Sequence, residues 1–254
     1  MLAEDECKHA HVRRLGVGSD IRVIDGAGTE AEGTLVRFSR RQATVEIGEV
    51  RSVGQLPPVH LLLPVADRDR MLWLAEKAAE LGVTSWRPVV WHRSRSVSPR
   101  GEGMLFQGKV RARMIAALKQ SGGAWLPELH PEASLAHAIA AAPEGKRITL
   151  DGEGSPMTSV AMAAPVTIAL GPEGGMEPSE LEQLDGAGFQ AASLGPTVLR
   201  FETAGTVALG LARAALMPLP EGTLPGDLRH SRESGNPENH NRSSYKSPFP
   251  GPHA

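Results

Sequence analysis

Along the first fifty residues, apolar positions alternate with polar ones. Ile21 and Val23 precede a turn at Asp25-Gly26-Ala27-Gly28; Thr34, Val36 and Phe38 alternate after it, and Val45 and Ile47 alternate again. Period-2 runs separated by glycine and charged turns predict short strands of a small barrel or twisted sheet. Leu56-Pro57-Pro58 closes the pattern, because proline fixes φ and disfavours helix in the residue before it. Beyond it the rhythm changes. Val59 to Val65 is a nearly continuous apolar run, as in a strand buried on both faces. Met71, Leu74, Ala75, Ala78 and Leu81 then recur at helical spacing until Gly82 stops the helix. Trp86 to Trp91 reads as a strand, and Val110, Met114, Ala117 and Leu118 mark a second helix. A third helix carries Leu135, Ala138, Ile139 and Ala142. Ile148 to Leu150 and Val166 to Leu170 read as buried strands with a short helix between them, and Pro178 to Leu184 and Thr203 to Leu216 as further helices.

Alternating strands and helices predict a mainly parallel sheet covered on both faces. The expected architecture is a β domain over residues 1–57, an α/β domain over 58–218 and a tail over 219–254. In the tail Ser, Asn, Pro and Gly cluster without apolar periodicity. Such a segment cannot bury enough surface to offset ordering entropy, so it is expected to be disordered.

Composition narrows the functional classes. At 41% hydrophobic and 22% charged, the chain can build a sizeable core. Lys+Arg 27 against Asp+Glu 29 leaves a net charge of -2, so no global basic surplus announces nucleic acid. A single cysteine, Cys7, excludes an internal disulfide framework and a cysteine-built zinc site, and suits a reducing compartment. Nine histidines show no zinc-type spacing, and no metal is expected. The acidic N-terminus lacks a signal pattern, and no apolar run approaches the ~20 residues of a bilayer span. The expectation is a soluble cytoplasmic protein.

Two loops concentrate the candidate chemistry. Leu170-Gly171-Pro172-Glu173-Gly174-Gly175 closes a buried strand, and its three glycines let the backbone approach a ligand closely. Open α/β sheets bind ligands at the carboxyl ends of their strands, where this loop falls. The plain alternative is a tight β–α connection. A phosphate loop is disfavoured, because no Gly-Lys-Ser/Thr follows. One β–α unit later, Leu194-Gly195-Pro196-Thr197-Val198-Leu199-Arg200-Phe201-Glu202-Thr203-Ala204 repeats the idea, with a cation and a carboxylate held between apolar residues. Arg200 and Glu202 could form a helix-start ion pair; two such loops at one sheet edge favour a site.

Together these loops resemble the SPOUT methyltransferases, and within them the ribosomal RNA small subunit methyltransferase E family. Further matches lie upstream: His11-Val12-Arg13-Arg14-Leu15 with Asp25-Gly26, Glu76-Lys77-Ala78 with Glu80-Leu81-Gly82-Val83, and Lys119-Gln120-Ser121-Gly122 with Pro127-Glu128. The resemblance covers roughly residues 9–217. It implies a PUA-like N-terminal β-barrel, a SPOUT α/β domain with a C-terminal trefoil knot, and a homodimer. The implied reaction is transfer of a methyl group from S-adenosyl-L-methionine to N3 of a uridine in 16S rRNA, within the small ribosomal subunit. On this chain the implied cofactor residues are Leu170, Gly171, Glu173, Gly174 and Gly175 in the first loop. Leu194, Gly195, Val198, Leu199, Thr203 and Ala204 complete them in the second, and Arg200 and Glu202 become the catalytic candidates.

The sequence departs from the family on the RNA side. The usual opening strand with its arginine has no counterpart ahead of His9, so the first domain is expected to be shortened. Gly123 and Trp125 stand where arginines are common, and Lys119 replaces a Glu. Partial compensation comes from Arg87 to Lys119, which holds eight Lys/Arg and one acid, Glu102. Such a local basic stretch fits phosphate contacts, although a solvated face has the same pattern. The RNA candidates are Arg13, Arg14, Arg93, Arg95, Arg111 and Lys119. A second reading is a catalytically impaired RNA-binding member of the same family.

Overall fold

The computed structural model describes residues 7, 10–12, 14–39, 42–94 and 101–217. The expected tail lies outside them. Near the N-terminus, β1 (Asp20–Ile24), β2 (Thr29–Phe38) and β3 (Ala43–Ser52) form an antiparallel sheet in that order. The β1–β2 turn is set by Asp25, whose Oδ1 accepts the backbone N–H of Ala27 at 2.7 Å and of Thr29 at 2.9 Å. Those hydrogen bonds, Ala27 first, hold its carboxyl below the usual carboxylate range. Cys7, Leu35 and Ala43 form a small apolar core beneath this sheet.

The remaining elements are β4 (Val59–Pro64), α1 (Arg68–Glu80), β5 (Ser85–Val90), α2 (Gly103–Ser121), β6 (Glu128–Leu129), β7 (Ala133–Ser134), α3 (Leu135–Ala140), β8 (Lys146–Pro156), β9 (Val166–Ala169), α4 (Pro178–Gly186), β10 (Gln190–Ser193) and α5 (Phe201–Leu216). The strands form one parallel sheet in the order β10-β8-β9-β4-β5-β6, with β7 also pairing with β5. The unbroken apolar character of β4 follows from its central place. Leu61 and Leu63 enter the core with Met71, Leu74, Val110, Met114 and Leu209, whereas Leu62 joins Val89, Leu135 and Leu184 in the other. Helices α1, α2 and α5 therefore cover one face, and α3 and α4 the other.

The alternating β and α pattern is thus present, with local corrections. Strand β8 is longer than the apolar triplet Ile148 to Leu150 suggests, and the expected short helix after it is a single 3₁₀ turn at Met157–Ser159. Helix α5 begins at Phe201, not Thr203, which places Glu202 in its first turn. The two-residue strands β6 and β7 are too short to leave a periodic signal.

Two side chains join the parts. Trp125 donates its indole N–H to the Val53 carbonyl at 2.8 Å and lies against Gly28, where a Cβ would fall 2.2 Å from the ring. The Arg213 guanidinium, on α5, donates to three carbonyls: Pro57 at 2.7 Å, Gly82 at 2.7 Å and Leu81 at 3.1 Å. Burial lowers its pKa below that of an exposed arginine.

A pH-dependent contribution to stability sits on β4 and beyond β6. His60 Nδ1 lies 2.8 Å from Ser85 Oγ, and burial, then the nearby His130, lowers the His60 pKa. His130 is lowered by burial and then by Arg87, while Glu128 opposes both shifts. The folded protein therefore binds protons less readily than the unfolded chain, whose histidines titrate near 6.5. This contribution is complete above that value and is lost as pH falls toward the lower folded values. The melting temperature should decline between pH 8 and 5.5, and His60→Gln with His130→Gln should flatten that decline. An equal slope in wild type and double variant would remove both histidines from the account.

Candidate active site

The carboxyl-end connections of β9 and β10 meet a stretch within β8, the strand between them, at one place. Between them lies a cavity of about 480 Å³, inside the ~300–1,000 Å³ range of pockets that enclose small-molecule ligands. The first loop leaves β9 at Leu170, whose N–H is donated to Leu62 O at 2.8 Å, and turns through a Gly175 N–H to Pro172 O bond of 2.9 Å. Its far end is fixed by Glu180, which is buried: Oε1 accepts the His92 N–H at 2.7 Å and Oε2 the Glu177 N–H at 2.8 Å. Arg93 adds a pair with Glu177 at 2.5 Å and a bond to Gly174 O at 3.2 Å.

Leu170, Gly171, Glu173 and Gly175 line the cavity; Gly174 faces Arg93 instead. From the second loop and α5, Leu194, Gly195, Val198, Leu199 and Ala204 line it, and Thr203, which is exposed, does not. The third wall is a feature the sequence reading missed. Strand β8 pairs Thr149 with Ala191 and Ser155 with Ala192, so Leu150 to Gly154 bulge out between consecutive partners. Gly154 is required there, because a Cβ would sit 2.5 Å from the Ala191–Ala192 backbone. The bulge brings Asp151 and Glu153 to the cavity, where with Glu173 they make the charged lining wholly acidic.

Arg200 and Glu202 flank the cavity without lining it, and they are not paired with each other. Arg200 is the N-cap residue of α5, exposed; its carbonyl accepts the Ala204 N–H at 2.8 Å, and its side chain has no hydrogen bond or ion pair among the described residues. Glu202 instead approaches Arg70, with Oε1 3.9 Å from Nε, while its Oε2 is buried with no partner among the described residues. Arg70 also pairs with Glu173.

The RNA candidates are dispersed. Arg13 and Arg95 lie outside the described residues. Arg14 is exposed, and Arg93 is committed to Glu177 and Gly174, so it braces the first loop. Arg111 and Lys119 line a second cavity, of about 570 Å³, between β1 and α2. No three His, Cys, Asp or Glu side chains among the described residues are grouped to hold a metal ion, and no helix among them is long and apolar enough to cross a membrane.

Residues 54–213 match the family model of an RNA methyltransferase domain, and residues 2–48 that of an RNA methyltransferase PUA domain. A ribosomal RNA small subunit methyltransferase E from Mycobacterium bovis is 30% identical over 218 residues, 81% of this chain and 82% of the relative. A solved ribosomal RNA small subunit methyltransferase E from Neisseria gonorrhoeae, bound to S-adenosyl methionine, aligns with a TM-score of 0.76 and 25% identity. That alignment covers 84% of this chain and 90% of the other. A Legionella pneumophila protein in complex with the same cofactor aligns at 0.75 with 28% identity, over 84% and 90%. With both regions matched and a relative 30% identical over 81% of this chain's length, the chain belongs to the ribosomal RNA small subunit methyltransferase E family.

Proposed function

We propose that this chain methylates N3 of a uridine in the 16S rRNA of the small ribosomal subunit, using S-adenosylmethionine held in the cavity at β8, β9 and β10. The observation that carries the reading is that cavity: two glycine-proline loops and a bulge meet over apolar Leu170, Leu194 and Leu199, with Asp151, Glu153 and Glu173 the charged residues lining it. An apolar, backbone-rich cradle suits a nucleoside, and the acidic lining suits a ligand with net positive charge. Bound there, the cofactor would supply a methyl group on a sulfonium.

The rest falls to the protein. Gly171, Gly175 and Gly195 keep the loop backbones close to the ligand, and the apolar side chains exclude water. Uracil N3–H is a weak acid, so its proton must leave near the transfer step while charge spreads over O2, N3 and O4. Arg200, with its guanidinium unpaired among the described residues, is assigned to stabilise that charge. Glu202 is assigned to take up the proton or to orient the groups that do. Because N3 lies on the Watson–Crick edge, the uridine must enter unpaired or extruded.

The same reading takes residues 1–57 as an RNA-facing, barrel-like domain, 58–218 as a knotted catalytic domain, and the enzyme as a cytoplasmic homodimer. Arg14, Arg111 and Lys119 are its phosphate contacts. Trp73 on α1 and Val207 on α5 are partly exposed apolar side chains that a second copy would cover. The deciding experiment is mass spectrometry of 16S rRNA from a strain deleted for this gene, with and without the gene restored. A 3-methyluridine that disappears and returns with the gene is expected; a modification pattern indifferent to it would overturn the reading.

A further inference from the structure

Arg70 stands where neither glycine-proline loop can be read without it. Helix α1 fixes its place: Asp67 caps the helix, its Oδ1 accepting the Arg70 N–H at 3.0 Å, and Met71 and Leu74 next to it are fully buried. The guanidinium therefore leaves a rigid element. Nη1 pairs with Glu173 of the first loop, and Nε lies 3.9 Å from Glu202 Oε1 at the start of α5. These carboxylates differ in what they could do alone. Glu173 is 49% exposed and lines the cavity; Glu202 is 12% exposed, and its Oε2 has no hydrogen-bond partner among the described residues. A carboxylate removed from water needs a nearby cation and a fixed geometry. Among the described residues the cation within ion-pair distance of Glu202 is Arg70.

We propose that Arg70 is a positioning residue for methyl transfer. One planar guanidinium joins the two loops, setting the gap between them and the orientation of Glu202 beside the cavity. The inference rests on the methyltransferase reading of that cavity. A planar fork can face two carboxylates together, which a lysine ammonium on a flexible stem cannot reproduce. Displacing a reacting constellation by about 1 Å can cost ~10²-fold in rate. The expected loss is thus in transfer, with the cofactor cradle largely retained.

The test is single-turnover methylation of small ribosomal subunits from a deletion strain, at saturating S-adenosylmethionine, with calorimetric cofactor affinity and folded fraction measured on each variant. Arg70→Ala should slow transfer ~10–100-fold per folded enzyme while cofactor affinity changes by less than ~5-fold. Arg70→Lys should recover only part of the rate. Glu202→Gln should slow transfer too, and the double variant should be no slower than the worse single one, because both remove one arrangement. Should Arg70→Ala fail to fold, Arg70→Gln, which keeps hydrogen-bond donors, carries the same readout. Transfer within ~3-fold of wild type, a rate lost only with folded fraction, or losses that multiply in the double variant would overturn the inference. An inactive wild type would instead refute the methyltransferase reading itself.

Discussion

Arg200→Ala is expected to lower kcat by ~10²–10³, about 3–4 kcal/mol of transition-state stabilisation, with cofactor affinity nearly unchanged. The structure sharpens this expectation. An ion pair with Glu202 would have explained Arg200 as a fold element, but Glu202 is turned to Arg70 and Arg200 is exposed, its side chain without a partner among the described residues. Its position also opposes simple helix electrostatics: a cation at the N-cap of α5 meets the positive end of the helix dipole, a cost of ~0.3–1 kcal/mol. On the proposed reading, the cost of placing this cation at its own helix start is offset by what Arg200 meets in the complex.

Alanine at this position should therefore leave the melting temperature unchanged or slightly raised, in contrast to its effect on rate. Arg200→Lys should recover little, since a point ammonium cannot present two coplanar donors to the O2–N3–O4 edge. The measurement is single-turnover methylation normalised to folded fraction. Near-wild-type turnover in Arg200→Ala would end the catalytic assignment.

What the sequence could disclose was limited by how local each signal is. Strand β4 was legible because burial on both faces demands apolar residues at consecutive positions, and Val59 to Val65 supplies them. Helix α1 was legible because Met71, Leu74, Ala75 and Ala78 share one buried face. The glycine-proline loops were legible for the same reason: each is a contiguous run whose chemistry is unusual by itself. The β8 bulge was not. Leu150 to Gly154 resembles an ordinary turn until β10, far along the chain, pairs with the residues on either side of it.

Side chains whose partners lie far along the chain could not be given those partners from the sequence. Arg93 belongs to a basic stretch, which together with the family resemblance made it an RNA candidate; in the fold it braces Glu177 and the Gly174 carbonyl. Trp125 looked like a missing arginine, whereas it docks on Val53 and Gly28 and links the N-terminal sheet to the parallel one. Arg70 gave no signal, because Glu173 and Glu202 reach it only when β9 and α5 have packed beside α1. A charge in a sequence has a sign but no partner, and partnership separates a solvated face from a brace or a site.

Gly195→Val is expected to abolish measurable S-adenosylmethionine binding, and its interpretation turns on two effects that must be separated. Gly195 has φ +147°, a conformation that L side chains rarely adopt, so any substitution carries backbone strain of ~1–3 kcal/mol. A Cβ built there meets no protein atom within 4 Å, so the added side chain would extend into open space at the lined cavity. Strain alone predicts that Gly195→Ala and Gly195→Val behave alike, since both need a φ the glycine alone tolerates. Occlusion predicts a gradient: alanine weakens binding modestly, and valine, with two further methyl groups in the ligand's path, removes it. Thermal melts of both variants measure the shared backbone cost, and calorimetry with S-adenosylmethionine and S-adenosylhomocysteine measures the difference. Equal affinity loss in the two variants would assign the effect to the loop's conformation. Unchanged affinity in Gly195→Val would take Gly195, and with it the second glycine-proline loop, out of the cofactor site.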